Sequence, residues 1–367
     1  MRRLVAMLLL GLAGCMPSYR MTEGFPPERS CPEVGDYAWY SPEAAGDHDR
    51  LEDWCRTVGP PVVSPDPTAH FGELPRGHDL EVISWNVDVG GGDLLDFLET
   101  ELGLACDGTR SRLGNGAAHF ALLVQEAFRR SNVIPESEPG ATIPRVVAED
   151  ARPGERLDAV QLAARCGLSL VYVPAARNGS EPRDDLREDK GVAILSTLRL
   201  EDVLLIELPY EAARRVAAAV TVRDASGRRL RLANLHLISM AGPSRALTTG
   251  NGSRLRQGLA VADALGIAET PGPGSPAPTG ELRIATLLAG DFNTWSDRET
   301  TLRRLRDQFL DSPPPLGEGT HGAFPTDHIL FRAGAGGVGL VEGSYSRLAD
   351  SYRSDHHPIR VRARFER

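Results

Sequence analysis

From Asp79 onward, apolar runs of strand length recur along the chain, and most of them close on a polar or acidic residue. Leu80–Val87, His119–Gln125, Leu168–Val173, Gly191–Ser196, Leu200–Leu208, Val216–Val222, Leu230–Leu237 and Ile284–Leu288 read as strands, with Asp224-Ala225-Ser226-Gly227 as a hairpin turn. Helical periodicity follows Gly90-Gly91-Gly92 to about Leu104 and returns at Arg156–Cys166, Ser253–Ile267 and Arg298–Phe309. Pro271, Pro273, Pro276 and Pro278 mark a loop, and three more strands end the chain. No internal repeat is evident. Interleaved strands and helices with hairpins in the middle predict an α/β fold, two mixed β-sheets packed face to face with helices outside. Aromatic residues make up only 6% of the chain, so the core must rest on Leu, Val, Ile and Ala.

The first residues have a different texture. Arg2 and Arg3 precede the apolar run Leu4–Leu12, which is too short to span a bilayer and reads as a secretory signal. Leu12-Ala13-Gly14-Cys15 resembles a bacterial lipoprotein signal, so residues 1–14 are expected to be removed and Cys15 acylated. That implies an exported protein anchored to a membrane through Cys15. Met16, not an Asp, follows the cysteine, which favours an outer membrane. Export makes the other four cysteines candidates for disulfides, with Cys31–Cys55 and Cys106–Cys166 the favoured pairing of the three possible. Residues 15–78, rich in scattered Pro, Gly and charge, are expected to be a tether with a small disulfide-stapled segment, and residues 79–367 the catalytic domain. The net charge of −9 excludes a general nucleic-acid-coating protein but leaves room for a local basic groove. No obligate protein partner is indicated.

Asn86, Asp88, Gln125, Glu126, His236, Asp291, Asn293, Asp327, Asp355 and His356 stand at or just beyond strand ends. There a chain can hold carboxylates rigidly at a cleft without burying them unpaired. Carboxylates without thiolate ligands favour a hard ion, Mg²⁺ or Mn²⁺, over zinc. Histidines and amides added to such a set make phosphate-ester hydrolysis the natural reaction, with an Asp-oriented water as the attacking group.

Ser84-Trp85-Asn86-Val87-Asp88, Val124-Gln125-Glu126, Gly191-Val192-Ala193-Ile194-Leu195-Ser196, Asn234-Leu235-His236-Leu237, Gly290-Asp291-Phe292-Asn293 and Ser354-Asp355-His356-His357-Pro358 resemble, in order, the motifs of the endonuclease/exonuclease/phosphatase superfamily. The resemblance spans about residues 79–365. It implies a four-layer α/β sandwich and a division of labour. Glu126 would be the principal metal ligand, Asn86 would support it and the phosphate, and Asp355 would be a further metal ligand. Asp88 matches a carboxylate of the apurinic-site endonuclease branch, or is a turn acid before Gly90. Asp291 would orient or deprotonate water and Asn293 would hold the phosphate. His356, oriented by Asp327, would be base or phosphate stabiliser, and His236 would serve the leaving side. Arg214 or Arg215 enters a strand where the family often places a phosphate-contacting arginine, Arg215 being the one taken as substrate-binding.

Other polar residues read as structural: His328 and His357 as packing residues, Asn234 as bonded to a neighbouring loop, and Lys190, the only lysine, as solvated. Trp295 either stacks a base or packs a helix start. Fold and catalytic set do not choose the substrate. Pro325-Thr326-Asp327-His328 stands where the inositol-phosphate branch has Trp-Cys-Asp-Arg, which disfavours that substrate, and Asp88 tilts toward a nuclease-like phosphodiesterase acting on nucleic acid. The alternatives are a sphingomyelinase-like lipid phosphodiesterase, a phosphomonoesterase, or a non-catalytic binding lipoprotein. Degenerate binding relatives would be expected to lose Glu126, Asp291, Asn293 or His356, and all four are present.

Overall fold

The computed structural model describes residues 19–24, 37–48, 57–69, 71–137, 140, 142–146, 156–181, 186–239, 251–267 and 284–366. Cys15, Cys31 and Cys55, and with them the signal segment and the first expected disulfide, lie outside the described residues. No helix among the described residues is long and apolar enough to cross a membrane.

Two large sheets face each other. The first runs β1 (Met21–Glu23), β2 (Ala38–Pro42), β10 (Glu201–Glu207), β11 (Val216–Arg223), β12 (Arg229–His236), β13 (Ala285–Asp291), β14 (Asp327–Arg332). The second runs β15 (Val338–Leu340), β17 (Ile359–Phe365), β4 (Asp79–Asn86), β7 (His119–Arg130), β9 (Glu188–Ser196), β8 (Ser169–Arg177), β3 (Val62–Ser64), with β16 (Ser346–Arg347) also on β17. A two-stranded ribbon, β5 (Leu104–Ala105) with β6 (Arg112–Leu113), stands apart. Most pairs are antiparallel, but β4 with β7, β12 with β13 and β2 with β10 are parallel, which makes both sheets mixed as expected. The described parts of residues 15–78 depart from the expected tether. Their strands β2 and β3 extend the two sheets, pairing with β10 and β8. These short segments are laid along sheet edges, which leaves fewer unpaired backbone groups there.

Apolar residues on alternate positions of each strand make two buried faces. Leu80, Val82, Leu123, Ile194, Leu205, Val220, Leu232, Leu287 and Ile329 fill the space between the sheets. On the outer face of the first sheet, Leu255 and Leu259 of helix Asn251–Ala264 and Leu302 and Leu305 of helix Thr300–Arg306 pack on Ala217, Leu235 and Leu288. On the outer face of the second, Leu94, Phe97 and Leu162 cover Trp85, Phe120 and Tyr172. The result is a four-layer α/β sandwich. Helix Ala159–Cys166 begins with a reciprocal cap between Asp158 and Gln161 and stops at Gly167, whose φ of 65° suits glycine. The stretch after Gly92 is shorter than its periodicity predicts: one helical turn at Leu94–Asp96, then a π turn at Phe97–Glu101. The expected Cys106–Cys166 disulfide is present, joining residues 60 apart.

Candidate active site

The parallel pairs β4–β7 and β12–β13 end at the same edge of the sandwich, and period-two alternation decides what they present there. Inward positions of β12 are Leu230 and Leu232, then Asn234 and His236; those of β13 are Ala285, Leu287 and Ala289, then Asp291. On the facing sheet β4 gives Leu80, Val82, Ser84 and Asn86, and β7 gives Ala121, Leu123 and Gln125. Each strand is apolar inside the sandwich and polar at its last inward positions. Register then sets neighbours: Asn86 opposite Gln125, His236 opposite Asp291, and Asp291 opposite Asp327. Gly290 makes this approach possible, because a Cβ there would lie 1.9 Å from the Leu235 carbonyl oxygen.

Glu126 breaks the alternation. A bulge between Gln125 and Ala127 leaves it unpaired against β9, with φ at 54°. Val124 and Ala127 both stay in the outer core, and the extra residue is turned toward the site end. Glu126 there shares a small cavity with Lys190, Arg215 and His236.

Asp291 is the most constrained of these groups. Its Oδ2 accepts from the Asn86 amide at 3.1 Å, its Oδ1 accepts from the Asn293 backbone N–H at 2.8 Å, and His236 Nε2 lies 3.5 Å away. Asn293, with φ of 53°, anchors its own amide on the Leu237 carbonyl at 3.0 Å. Burial, and then the charge of Asp327, push the Asp291 carboxyl up to about 7, against the pull of His356. Asp327 accepts from His356 Nδ1 at 2.8 Å and from the Thr326 hydroxyl at 2.9 Å. Burial opposes the charge of His356, but Asp327 and then Asp291 override it and raise the imidazole to about 10. The same imidazolium keeps Asp327 below the ordinary carboxylate range despite burial. Burial, helped by the charges of Arg215 and Lys190, holds His236 well below its usual value, so that ring is neutral. The loop bearing His356 is pinned to the end of β4. The Trp85 indole donates to the His356 carbonyl at 3.0 Å, and the Ser354 hydroxyl donates to the Asn86 carbonyl at 2.7 Å.

The expected metal ligands face one another more loosely. Burial raises Asp88 to about 6, and the carboxylates of Asp355 and Glu126 add to the rise. That is the signature of an acidic set short of positive charge. Oxygen donors with excess negative charge fit a hard divalent ion, Mg²⁺ or Mn²⁺. Two other sets converge more tightly, with all ligand atoms within 4.8 Å: Asp291, Asp327 and His356, and His321, Asp355 and His356. The first is already neutralised by its imidazolium; the second includes a histidine that no strand-end pattern pointed to.

Several readings of single residues change. Asp88 stands where the charges of Asp355 and Glu126 reach it. Lys190 is not simply solvated: its ammonium lies 3.7 Å from Glu126. Asn234 bonds to the opposite sheet, not to a loop, donating to the Val124 and Ala193 carbonyls at 2.9 and 2.8 Å and accepting from Gln125 at 2.6 Å. Arg214 is taken by the buried Glu207 at 2.6 Å, which leaves Arg215 as the arginine at the site. His328 is packed, bonded to the Pro325 carbonyl at 2.7 Å, and His357 meets the Leu348 carbonyl at 3.1 Å, as expected for structural residues. Trp295 is 47% exposed and lies 5.6 Å from Phe324, itself 46% exposed, and its backbone N–H donates to Glu299 at the helix start at 2.7 Å.

No protein-family model and no curated protein matches this chain. Among solved structures it is similar to the human Nocturnin catalytic domain with bound sulfate (18% identity, TM-score 0.47, covering 81% of this chain and 98% of that one). It is similar to an endonuclease/exonuclease/phosphatase from Beutenbergia cavernae DSM 12333 (15%, 0.45, 79% and 72%). A third is sphingomyelinase C from Streptomyces griseocarneus (14%, 0.45, 77% and 99%).

Proposed function

We propose that this protein is a divalent-metal-dependent phosphodiesterase, with a nucleotide-type substrate favoured. One observation carries the reading: a buried Asp291 poised near pH 7 faces an imidazolium, His356, and a neutral imidazole, His236. A buried carboxyl raised toward neutrality beside two histidines at the strand ends marks a candidate catalytic site. Glu126, Asp88 and Asp355 would hold the Mg²⁺ or Mn²⁺, which when bound neutralises phosphate charge and polarises a phosphoryl oxygen. Asp291 accepts the proton of the attacking water, for which a value near the working pH is best. Water oxygen joins phosphorus, the ester P–O bond breaks, and the leaving oxygen takes up a proton. His356 compensates the charge gathering on phosphoryl oxygens, and its raised value makes it a charge stabiliser, not a base. Asn86 fixes Asp291, Asn293 stands at the phosphate, Arg215 contacts it from the β11 side, and His236 donates toward the leaving side.

The exposed Trp295–Phe324 pair favours a flat base beside the phosphate, since each ring follows or precedes the site residues Asn293 and Asp327 by two or three positions. A lipid head-group diester is the second reading, favoured by the lipoprotein-type signal ending at Cys15. We infer from that signal an exported protein held on a membrane, and Cys15→Ser should release it or stall its processing. A wild-type protein recovered wholly soluble with an unmodified N-terminus would overturn the anchoring.

Hydrolysis of DNA, RNA, sphingomyelin and simple phosphodiesters with Mg²⁺ or Mn²⁺ tests the chemistry. Asp291→Asn should lower turnover roughly 10²-fold or more with metal affinity nearly intact. Glu126→Gln should weaken metal binding, with part of the turnover recovered at excess metal. Full turnover in Asp291→Asn would sink the mechanism.

A further inference from the structure

We propose that Arg254 and Glu299 are positioning residues: this buried ion pair mounts Trp295 at the mouth of the site and sets the affinity for a base, not the chemistry at the phosphate. The base-affinity half rests on the nucleotide reading just given; the mount itself does not.

Helix Asn251–Ala264 is fixed just beyond the end of β12. Gln257 accepts from the Ile238 N–H at 2.9 Å and donates to the Pro209 carbonyl at 3.0 Å, while Leu255 and Leu259 lie in the outer core. One turn before Gln257 stands Arg254, its side chain only 2% exposed. Its Nη2 donates to Glu299 Oε2 at 2.8 Å, and its buried Nε and Nη1 have no hydrogen-bond partner among the described residues. Glu299 uses its other oxygen, Oε1, to accept the Trp295 backbone N–H at 2.7 Å. The preceding residue, Thr294, donates its hydroxyl to the Pro325 carbonyl at 2.8 Å, next to Phe324. The backbone is thus tied on both sides of the Thr294–Trp295 peptide, yet the indole it carries stays exposed beside the Phe324 ring.

The plain alternative is an ion pair that only stabilises the packing of helices. A buried pair is weak evidence for that, because desolvation offsets the attraction unless the remaining donors are satisfied. Here two guanidinium nitrogens are not. What the pair does secure is the backbone under an exposed indole, two residues beyond Asn293. A ring stacks well on a base when it is already held where the base will lie, since the ordering cost of binding is then small. Asn293 is anchored separately, on Asp291 and on the Leu237 carbonyl. Loss of the strut should therefore reach the base side and spare the phosphate side.

The test uses the full chain with Mg²⁺. Arg254→Met strips the countercharge from Glu299, whose carboxylate should turn to solvent and release the Trp295 N–H. That amide should then exchange with deuterium about tenfold faster or more. An unchanged exchange rate overturns the mount, whatever the substrate. By calorimetry, wild type should bind adenosine 5′-monophosphate about fivefold or more tighter than ribose 5-phosphate, and Trp295→Ala should lose that preference. Arg254→Met should lose it too, while its affinity for ribose 5-phosphate stays within about twofold of wild type. No preference in wild type, or one that survives Trp295→Ala, refutes the nucleotide reading, and amide exchange still decides the mount. Preference lost in Trp295→Ala but kept in Arg254→Met overturns the role of the pair alone. Arg254→Met combined with Glu299→Leu replaces the pair by apolar side chains, and should recover the unfolding midpoint without recovering the preference. Recovery of both would make the pair structural only and overturn the proposal.

Discussion

Asp327→Asn separates the charge of Asp327 from its shape. In the native site His356 stands at about 10 against an ordinary 6.5, a preference for imidazolium on the order of 5 kcal/mol at 1.36 kcal/mol per unit. Burial works against that charge and Asp327 is the first group that outweighs it. An asparagine keeps the planar group, and its oxygen still accepts from Nδ1, but the compensating charge is gone while the burial remains. His356 should then titrate well below its wild-type value, with the charges of Asp291 and Asp355 still supporting the imidazolium. Linkage fixes the accompanying sign. A raised folded-state value contributes stability that is complete below pH 6.5 and lost as pH rises through about 10, so wild-type thermal stability should decline across that window and the variant's should be flat there. Ring ¹⁵N chemical shifts of His356 followed from pH 5 to 10 measure the titration directly. Turnover of the variant should fall at a lower pH than in wild type, which keeps its imidazolium up to about 10. A His356 titration in Asp327→Asn unchanged from wild type would refute the assignment of its charge to Asp327.

Two further outcomes concern the frame. Asn234→Ala strips partners from the Val124 and Ala193 carbonyls and from Gln125 between the sheets, and should cost roughly 3 kcal/mol or more, read as a fall in unfolding midpoint; an unchanged midpoint would remove Asn234 as a cross-sheet tie. Replacing Cys106 and Cys166 together by Ser opens a loop spanning 60 residues and should cost on the order of 4 kcal/mol in denaturant unfolding under the chain-entropy model; equal stability would show that the bond does not limit the unfolded chain.

Most of the site was readable because alternation is a local rule. A strand whose inward residues run Leu230, Leu232, Asn234, His236, or Ala285, Leu287, Ala289, Asp291, announces from sequence which polar group reaches the cleft. The same rule points Glu126 outward beside Val124, and only its resemblance to a family motif restored it. The bulge that turns it depends on β9 pairing differently on its two sides, a tertiary fact. Asn234 is invisible for a related reason. Its partners lie on the opposite sheet, over a hundred residues away for Val124. Lys190 and His321 lack strand-end signals of their own and acquire meaning only from Glu126 and His356 beside them. The edge strands β1, β2 and β3 escaped notice because three to five residues among prolines do not make a period.

Backbone strain follows the same edge of the sandwich. Non-glycine residues with positive φ among the described residues are Asp88, Val89, Glu126, Asp202, Asn293, Tyr352 and Arg353, and all but Asp202 belong to the site or to the loop carrying Asp355 and His356. Val89, at φ 49°, is the least expected, since a branched Cβ crowds that region. Each strained turn is held from outside. Asp88 donates its N–H to the Asn86 side chain at 3.1 Å, and Arg156 donates to the Val89 carbonyl at 3.1 Å while paired with the buried Glu188 at 2.7 Å. Asn293 is held by Asp291, and Glu126 by the pairing of Gln125 and Ala127 on either side. Strain of roughly 1–3 kcal/mol per residue persists only where surrounding structure over-determines it. Here that structure holds Asp88 and Glu126 at one end of the sandwich, where burial first and then the charges of Asp355 and Glu126 raise Asp88 to about 6. Strain and unbalanced negative charge thus meet at the end of the sandwich where the proposed divalent ion would sit.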